Sequence, residues 1–240
     1  MNADQYVFRR VEIKYLLDNA RYLSLLEALH AHGYKTDEYG EHTISNIYYD
    51  TDDYYLIRHS LDKPVYKEKL RLRAYGAPGE DSPAFVEIKK KFRGVVYKRR
   101  VTLPLYQAAR ALENGEMPGG LGQIGDEINL FLRTYRVSPR AMIAYDREAL
   151  FSDQTPDLRI TFDRAIRFRD TALDLSDGSV GTLLLPGDTR LMEIKTSYSL
   201  PVWLCDALWK DDIRRVSFSK YGECYVRYIQ KSDREALFSA

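Results

Sequence analysis

Seven segments of the sequence carry charged or polar residues that are separated by a single position. They are Glu12 with Lys14, Arg71 with Arg73, Glu87 with Lys89, Lys98 with Arg100, Tyr145 with Arg147, Arg159 with Thr161 and Asp163, and Glu193 with Lys195. In a β-strand, residues i and i+2 point to the same face, and here mostly apolar residues occupy the alternate positions. The pattern therefore predicts a sheet with one strongly charged face.

The predicted face concentrates positive charge. Its cations are Lys14, Arg71, Arg73, Lys89, Lys98, Arg100, Arg147, Arg159 and Lys195, and its acids are Glu12, Glu87, Asp163 and Glu193. These nine cations and four acids give the face a charge of +5 and leave −4 for the rest of a chain whose net charge is +1. Clustered like charges repel one another unless a polyanion neutralises them. Because Arg offers paired donors to phosphate oxygens and Lys a compact charge, the residue types indicate phosphate.

A solvated sheet face is the plain alternative, since any half-buried sheet alternates apolar residues with polar ones. One Glu-x-Lys pair alone favours that interpretation. Seven strands whose charged face is almost entirely Arg, Lys and Glu favour a binding face. The acids Glu12, Glu87 and Glu193 could hold Mg²⁺ or Mn²⁺, hard cations that take oxygen ligands and bridge phosphates. Their alternative role is to pair with neighbouring cations, and metal binding is favoured most for Glu193.

The remaining pattern predicts an α+β chain with about eight strands. Strands are predicted at 6–17, 43–49, 65–75, 84–91, 95–103, 139–146, 157–168 and 189–196, and helices at 19–32, 104–114, 123–135 and twice within 201–231. We predict a closed antiparallel β-barrel with helices packed outside, formed by residues 1–240 as a single domain. An eight-stranded barrel is wide enough for side chains and one narrow ligand.

Several classes of protein are disfavoured by composition. The chain has 240 residues and only two cysteines, without a CxxC motif, and the four histidines lie in predicted helices or loops. An apolar run of membrane-helix length and a secretory leader are both lacking, so a soluble, cytoplasmic chain is predicted. The net charge is only +1 and the sequence shows no exposed basic–aromatic stacking platform, so nucleic-acid binding is not predicted.

The motifs also occur in a recognisable order. They are Arg10-Val-Glu-Ile-Lys-Tyr15, Ser45-Asn-Ile-Tyr-Tyr-Asp50, Leu70-Arg-Leu-Arg73, Phe85-Val-Glu-Ile-Lys-Lys90, Val96-Tyr-Lys-Arg-Arg100, Ala144-Tyr-Asp-Arg147, Leu158-Arg-Ile-Thr-Phe-Asp163, Leu191-Met-Glu-Ile-Lys195, Pro201-Val-Trp-Leu204 and Phe218-Ser-Lys-Tyr221. This set resembles the VTC-type polyphosphate polymerase domain of the CYTH/triphosphate tunnel metalloenzyme superfamily, across residues 6–228. Each motif is weak alone, but the ordered set is specific.

The resemblance implies a tunnel whose basic residues coordinate a nucleoside triphosphate such as ATP, or a growing polyphosphate chain. The implied phosphate ligands are Lys14, Arg71, Arg73, Lys89, Lys98, Arg147, Arg159, Lys195 and Lys220; all but Lys220 are also the expected catalytic residues. Glu193 matches the family's metal-binding acid, and the assignment of Lys220 rests on the resemblance alone. Arg100 is included by its spacing, and Tyr145 could bond a phosphate oxygen or be structural.

One departure bears on the reaction. The wider superfamily opens with Glu-x-Glu-x-Lys, whereas Arg10 stands here at the first acidic position. This change favours the polymerase-like branch over adenylate cyclases and thiamine triphosphatases. We therefore expect metal-dependent transfer of a phosphoryl group from ATP to polyphosphate. The alternatives are an inorganic triphosphatase or polyphosphatase, and a non-catalytic module that binds polyphosphate or nucleotide.

Overall fold

A computed structural model describes residues 11–93, 95–197 and 199–231. Within these ranges the chain forms eleven strands, six α-helices and one turn of π-helix. In order they are β1 Val11–Leu17, α1 Asn19–Ala31, β2 Lys35–Thr36, β3 His42–Asp50, α2 Tyr55–Leu61, β4 Tyr66–Tyr75, β5 Pro83–Phe92, β6 Val95–Pro104, α3 Leu105–Glu113, α4 Gly122–Tyr135, β7 Ser138–Phe151, β8 Arg159–Arg169, β9 Thr182–Leu183, β10 Arg190–Thr196, α5 Val202–Lys210, β11 Arg215–Val216, α6 Lys220–Cys224 and the π-turn Tyr225–Ile229.

The eight predicted strands are confirmed as the eight longer strands, each of seven residues or more; residues 6–10 of the first predicted strand lie outside the described residues. Three two-residue strands, β2, β9 and β11, were not predicted. Position Arg10, where the chain departs from the superfamily pattern, lies outside the described residues. No helix in the described part of the chain is both long enough and apolar enough to cross a membrane.

All strands belong to one antiparallel sheet. Its order is β11-β1-β10-β8-β7-β3-β4-β5-β6, with β2 paired to β7 and β9 paired to β8. The prediction of a closed eight-stranded barrel was therefore wrong: among the described residues, β6 and β11 form the two ends of the sheet and do not pair. The free edge of β1 is partly occupied by the short β11, which pairs with Lys14 and Tyr15.

Side chains approach one another across the gap between the two ends of the sheet, where the strands do not pair. The Glu12 carboxylate on β1 lies 3.6 Å from the Lys89 ammonium on β5. These strands are far apart in the sheet order, so the sheet must curl strongly to bring them together. The charged face therefore lines the inside of the curve.

The apolar face points outward and carries most of the packing. Leu70, Leu72, Val86 and Ile88 of β4 and β5 are fully buried in a cluster with α3 and α4. A second cluster joins β1, β8 and β10 to α1 and α5. Each fully buried Leu or Ile contributes about 1.5–3 kcal/mol through the hydrophobic effect. The alternation predicted from the sequence is confirmed, with helices covering the apolar side.

The C-terminal helical segment occupies one end of the inner face. The Tyr221 ring of α6 stacks on Tyr48 of β3, with ring centroids 4.7 Å apart. Tyr225 and Ile229 of the π-turn join the same buried cluster, together with Ile143 of β7. This end of the curve is therefore filled by apolar side chains, and the charged residues lie next to it.

At this end of the inner face, the Asp50 side chain connects β3 to α2 and α6 through hydrogen bonds. Its buried carboxylate accepts hydrogen bonds from the Leu56 amide at 2.9 Å, the Ile57 amide at 3.0 Å and the Tyr221 hydroxyl at 3.0 Å. The first two are free amides at the start of α2, where a carboxylate is favoured. The acidic turn after β3 thus begins a helix that the sequence analysis did not predict.

The Asp50→Ala variant should lose about 3 kcal/mol of unfolding free energy, because several buried donors lose their acceptor. Chemical denaturation would measure the loss. As a control, Asp53→Ala removes an exposed carboxylate that accepts from the Thr51 hydroxyl and pairs with Arg58. It should cost less than about 1 kcal/mol. Equal losses for the two variants would show that Asp50 does not anchor α2.

Candidate functional site

Glu193 of β10 lies at the centre of the inner face, surrounded by four cations. One carboxylate oxygen, Oε1, is 3.1 Å from the Lys14 ammonium and 3.2 Å from that of Lys220. The other, Oε2, is 3.7 Å from Arg147 and 3.9 Å from Lys195. Burial would raise the pKa of Glu193, but Lys220 and Lys14 hold it well below its usual range. The carboxylate is therefore charged despite being buried.

Asp163 of β8 forms a second buried anion beside the first. It takes two hydrogen bonds from the Arg147 guanidinium, at 2.6 and 2.7 Å, and lies 2.5 Å from the Lys220 ammonium. Burial opposes ionisation of Asp163, yet Lys220 and Arg147 lower its pKa. Bidentate geometry fixes the plane of the Arg147 guanidinium. Lys220 and Arg147 are thus shared between the two acids.

Glu87 of β5 organises the opposite wall. Its Oε2 is 2.6 Å from an Arg71 nitrogen and 3.8 Å from Arg73, and its Oε1 is 2.5 Å from the Lys98 ammonium. Burial is outweighed by these cations, with Arg71 the strongest, and the pKa of Glu87 falls below its usual range. Burial among cations lowers the pKa of Lys98 to about 8, although Glu87 favours its charged form.

Arg73 and Tyr145 connect the two walls. The Arg73 guanidinium donates to the Asn46 side-chain oxygen at 2.8 Å and to the Tyr145 hydroxyl at 3.1 Å. The Lys220 ammonium lies 4.4 Å from the Tyr145 ring centroid. Burial raises the pKa of Tyr145, but Arg73, Arg147 and Lys220 outweigh it and lower the pKa to about 8. The direct hydrogen bonds of Arg73 go to Asn46 and Tyr145, and its contact with the Glu87 carboxylate is longer, at 3.8 Å, so Arg73 is less fully paired than Arg71.

Glu12 and Glu193 share one lysine. The Lys14 ammonium is 3.2 Å from Glu12 and 3.1 Å from Glu193, so the two carboxylates lie close together. Burial of Glu12 is outweighed by Lys89 and Lys14, which lower its pKa to about 2. Glu12 and Glu193 therefore form a pair of neighbouring carboxylates on the inner face.

The carboxylates of Glu12 and Glu193 could bind a divalent metal only if a substrate supplied further ligands. No group of three or more His, Cys, Asp or Glu side chains among the described residues could hold a metal. Mg²⁺ is commonly bound by one or two carboxylates, waters and substrate phosphates. The pair Glu12 and Glu193 meets that requirement. Glu87 differs from this pair, because the cations that contact it, Arg71, Arg73 and Lys98, form no ion pair with a second acid among the described residues.

Most of the predicted site residues converge. The structure brings together Glu12, Lys14, Arg71, Arg73, Glu87, Lys89, Lys98, Tyr145, Arg147, Glu193, Lys195 and Lys220. Arg159 lies apart, because its side chain is 59% exposed and pairs with Asp37 at 3.2 Å. Arg100 is also exposed, with its guanidinium 4.9 Å from the Phe85 ring centroid.

Lys69 belongs to the same face and was missed by the sequence analysis. It precedes Arg71 and Arg73 on β4 at the same two-residue spacing, which was the available signal. Its ammonium lies 3.2 Å from the Ser219 hydroxyl. Burial and the neighbouring Lys67, Lys89 and Lys14 lower the pKa of Lys69 to about 7, with Asp50 opposing.

The cluster as a whole has unmatched positive charge. Its nine cations are Lys14, Lys69, Arg71, Arg73, Lys89, Lys98, Arg147, Lys195 and Lys220, and its four acids are Glu12, Glu87, Asp163 and Glu193. With all groups charged, the excess is five. Such a surface attracts a compact polyanion, and its Arg and Lys donors match phosphate oxygens.

Solved structures with the same fold come from several organisms. A proposed adenylate cyclase of Bacillus halodurans superposes with a TM-score of 0.56 at 17% identity, covering 88% of this chain and 93% of that one. A proposed adenylate cyclase of Vibrio parahaemolyticus gives 0.52 at 16%, covering 91% and 98%. A proposed adenylyl cyclase of Hippeastrum, with a dominant triphosphatase activity, gives 0.55 at 17%, covering 88% and 93%. These similarities show a shared fold.

Sequence comparison identifies the family. A comparison with curated proteins gives no significant match. The model of the VTC domain family, in contrast, matches residues 9–228, nearly the full length of 240 residues. The resemblance inferred from the ordered motifs is thereby confirmed. The chain belongs to the VTC domain family.

Proposed function

We propose that the inner face binds the triphosphate of ATP and transfers its terminal phosphoryl group to the end of a polyphosphate chain. The observation that carries this proposal is the excess of cations over carboxylates, nine to four, within one partly buried cluster. Family membership supports chemistry on triphosphates. The charges of a triphosphate would satisfy the cluster, whereas water would leave the cations repelling one another.

The cations divide into two groups by their protein partners. Arg147 and Lys220 are held tightly by Asp163, so they position the wall as well as attract phosphate. Arg73 is the strongest candidate for a direct phosphate contact, because its direct hydrogen bonds go to Asn46 and Tyr145 and its contact with Glu87 is long. Lys89, Lys98 and Lys195 are partly exposed and can turn toward a ligand. Together they would neutralise the non-bridging oxygens of the transferred group.

Glu12 and Glu193 would hold the divalent metal, Mn²⁺ or Mg²⁺, beside the phosphates. When bound, such a metal neutralises phosphate charge and orients the reacting oxygens. Lys14 lies between the two carboxylates and would shift toward the phosphates. We assign Glu87 to ion pairing with Arg71 and Lys98, where it orients two phosphate donors.

The acceptor distinguishes the proposed reaction from hydrolysis. The terminal phosphate of polyphosphate is already anionic, so transfer to it requires no dedicated general base. Purified protein should therefore form long phosphate chains when incubated with ATP and Mn²⁺, as measured by gel electrophoresis of the product. Release of orthophosphate without chains would reject the polymerase reaction. Binding without turnover, under either metal, would instead indicate a non-catalytic module.

Triphosphate hydrolysis is the second candidate function. The Hippeastrum protein with the same fold has a dominant triphosphatase activity. The same cations could bind inorganic triphosphate, with water in place of the polyphosphate end. Orthophosphate release from tripolyphosphate, unaffected by added polyphosphate, would favour this candidate.

Binding of tripolyphosphate at pH 8 should take up protons. Burial and neighbouring cations lower the pKa of Lys69 to about 7 and that of Lys98 to about 8, so at pH 8 much of each is neutral. A bound polyanion favours the charged form and raises both pKa values, so affinity should fall as the pH rises from 7 to 9. Calorimetry in buffers of different ionisation enthalpy measures the uptake.

Lys69, Lys98 and Tyr145 all titrate near this pH, and the variant Lys69→Met removes one of them, so it should reduce the uptake. An exposed lysine outside the cluster, Lys35, pairs with Asp153 and provides the control variant Lys35→Met. The expectation is wrong if uptake is zero in the wild type, or if both variants reduce it equally.

In the absence of ligand, the lowered pKa values of Lys69 and Lys98 mean that the unfolded state binds more protons than the folded state. Unfolding free energy should therefore rise between pH 7 and pH 10.

A further inference from the structure

Four aromatic side chains form a continuous row, which we call the aromatic arc: Tyr39 from the turn before β3, and His42, Tyr75 and Phe85 from β3, β4 and β5. Ring centroids are 6.4 Å apart for Tyr39 and His42, 5.8 Å for His42 and Tyr75, and 5.5 Å for Tyr75 and Phe85. The first and last contacts are edge-to-face, an arrangement that holds rings in fixed orientations.

The arc directly adjoins the cation cluster. Tyr75 follows Arg73 by two residues on β4, and Phe85 precedes Glu87 by two residues on β5. His42 is the register partner of Arg147. A two-residue step along a strand is about 7 Å, so Tyr75 and Phe85 lie one side-chain row beyond Arg73 and Glu87, and His42 lies beside Arg147.

The arc lies at the end of the inner face away from α6. That helix packs against Tyr48 and Ile143 and fills the other end with apolar side chains. Tyr39 is 71% exposed and Tyr75 is 41% exposed. Large rings left in water beside a charged site are available to a ligand that extends from that site.

A surface cavity continues the arc. It has a volume of about 510 Å³ and is lined by Asp37, Glu38, Tyr39, Phe151, Pro156 and Arg159. Tyr39 belongs to both the cavity and the arc. The ion pair between Asp37 and Arg159 supplies polar groups at its wall, and Arg159 is the predicted phosphate ligand that lies outside the cluster. Space, aromatic rings and polar groups thus coincide at this end.

We propose that the aromatic arc binds the nucleobase of a nucleoside triphosphate, with the triphosphate extending into the cation cluster. This proposal rests on the proposed function, because the cluster must hold the phosphates. It adds that the substrate is recognised as a nucleotide and not only as a polyanion. Stacking on aromatic rings tolerates all bases, so purine nucleotides such as ATP and GTP should bind alike.

The test compares ATP with inorganic tripolyphosphate, which lacks a base. Dissociation constants are measured by calorimetry in Mg²⁺ or Mn²⁺, using a non-hydrolysable ATP analogue. The variants Tyr75→Ala and Tyr39→Ala should each weaken binding of the analogue about tenfold and change tripolyphosphate binding less than twofold. Tyr75→Phe keeps the ring and should behave as the wild type. Trp209→Ala, which removes an 80% exposed ring on α5, is the control and should change neither constant.

The outcomes separate the two proposals. If tripolyphosphate binds but Tyr75→Ala and Tyr39→Ala leave the ratio of the two constants unchanged, nucleobase stacking is rejected and the proposed function stands. If neither ligand binds the wild-type protein, the proposed function fails and nucleobase binding fails with it. Because Tyr39 is mostly exposed, its variant should fold even if the Tyr75 variant does not.

Discussion

Replacing Glu193 with Gln should lower metal-dependent turnover of ATP by roughly 100-fold, a typical loss for a group that stabilises developing charge. Gln keeps the shape of the side chain but removes a negative charge that four cations surround. The excess of positive charge then rises, so tripolyphosphate should bind as tightly as before or more tightly. Steady-state kinetics across a Mn²⁺ titration, together with binding calorimetry, measures this split between turnover and affinity.

Glu127 provides the matched control. Its partly buried carboxylate on α4 pairs with Lys90 at 3.2 Å and Arg99 at 3.8 Å, outside the cluster. Glu127→Gln should leave turnover and its metal dependence unchanged. If Glu193→Gln retains full turnover while the affinity rises, Glu193 is only an ion-pair partner, and the metal assignment is wrong.

The second large effect is expected for Arg73. Arg73→Ala should weaken tripolyphosphate binding roughly 100-fold, because a buried guanidinium with no close carboxylate partner can donate charge-assisted hydrogen bonds to phosphate. Arg73→Lys should recover only part of this loss, since an ammonium cannot form the paired geometry. Calorimetric dissociation constants test both variants.

An arginine on the opposite face of the sheet gives the control for Arg73. Arg164 of β8 is partly exposed and pairs with Glu41 at 2.5 Å. Arg164→Ala removes the same charge without touching the inner face, so its dissociation constant should stay within about twofold of wild type. Equal losses for the two variants would mean that only the net charge of the protein attracts the ligand.

The alternation of side chains along each strand predicted most of the residues of the site. Because side chains alternate strictly, Glu12 and Lys14, Arg71 and Arg73, and Glu193 could each be placed on one face without a structure. The same rule would have found Lys69, which shares the spacing of Arg71. The start of α2 also had a signal, since a carboxylate at Asp50 precedes the helix and accepts its free amides.

Three features required the fold itself. Lys220 lies on a short helix, and only the packing of α6 inside the curve brings it to Asp163. Arg159 has the predicted parity but stands at the end of β8, where Asp37 draws its side chain outward. Closure of the sheet depends on whether its two ends meet, which local alternation does not encode. Among the described residues they do not pair, and the Glu12–Lys89 contact crosses the gap.

The most direct test of phosphate binding on the inner face is a crystal structure with a non-hydrolysable ATP analogue and Mn²⁺. We predict phosphate oxygens within hydrogen-bonding distance of Arg71, Arg73 and Lys195, and Mn²⁺ bound by Glu193. Phosphates bound at another surface, with these side chains still paired only to their own carboxylates, would contradict the assignment.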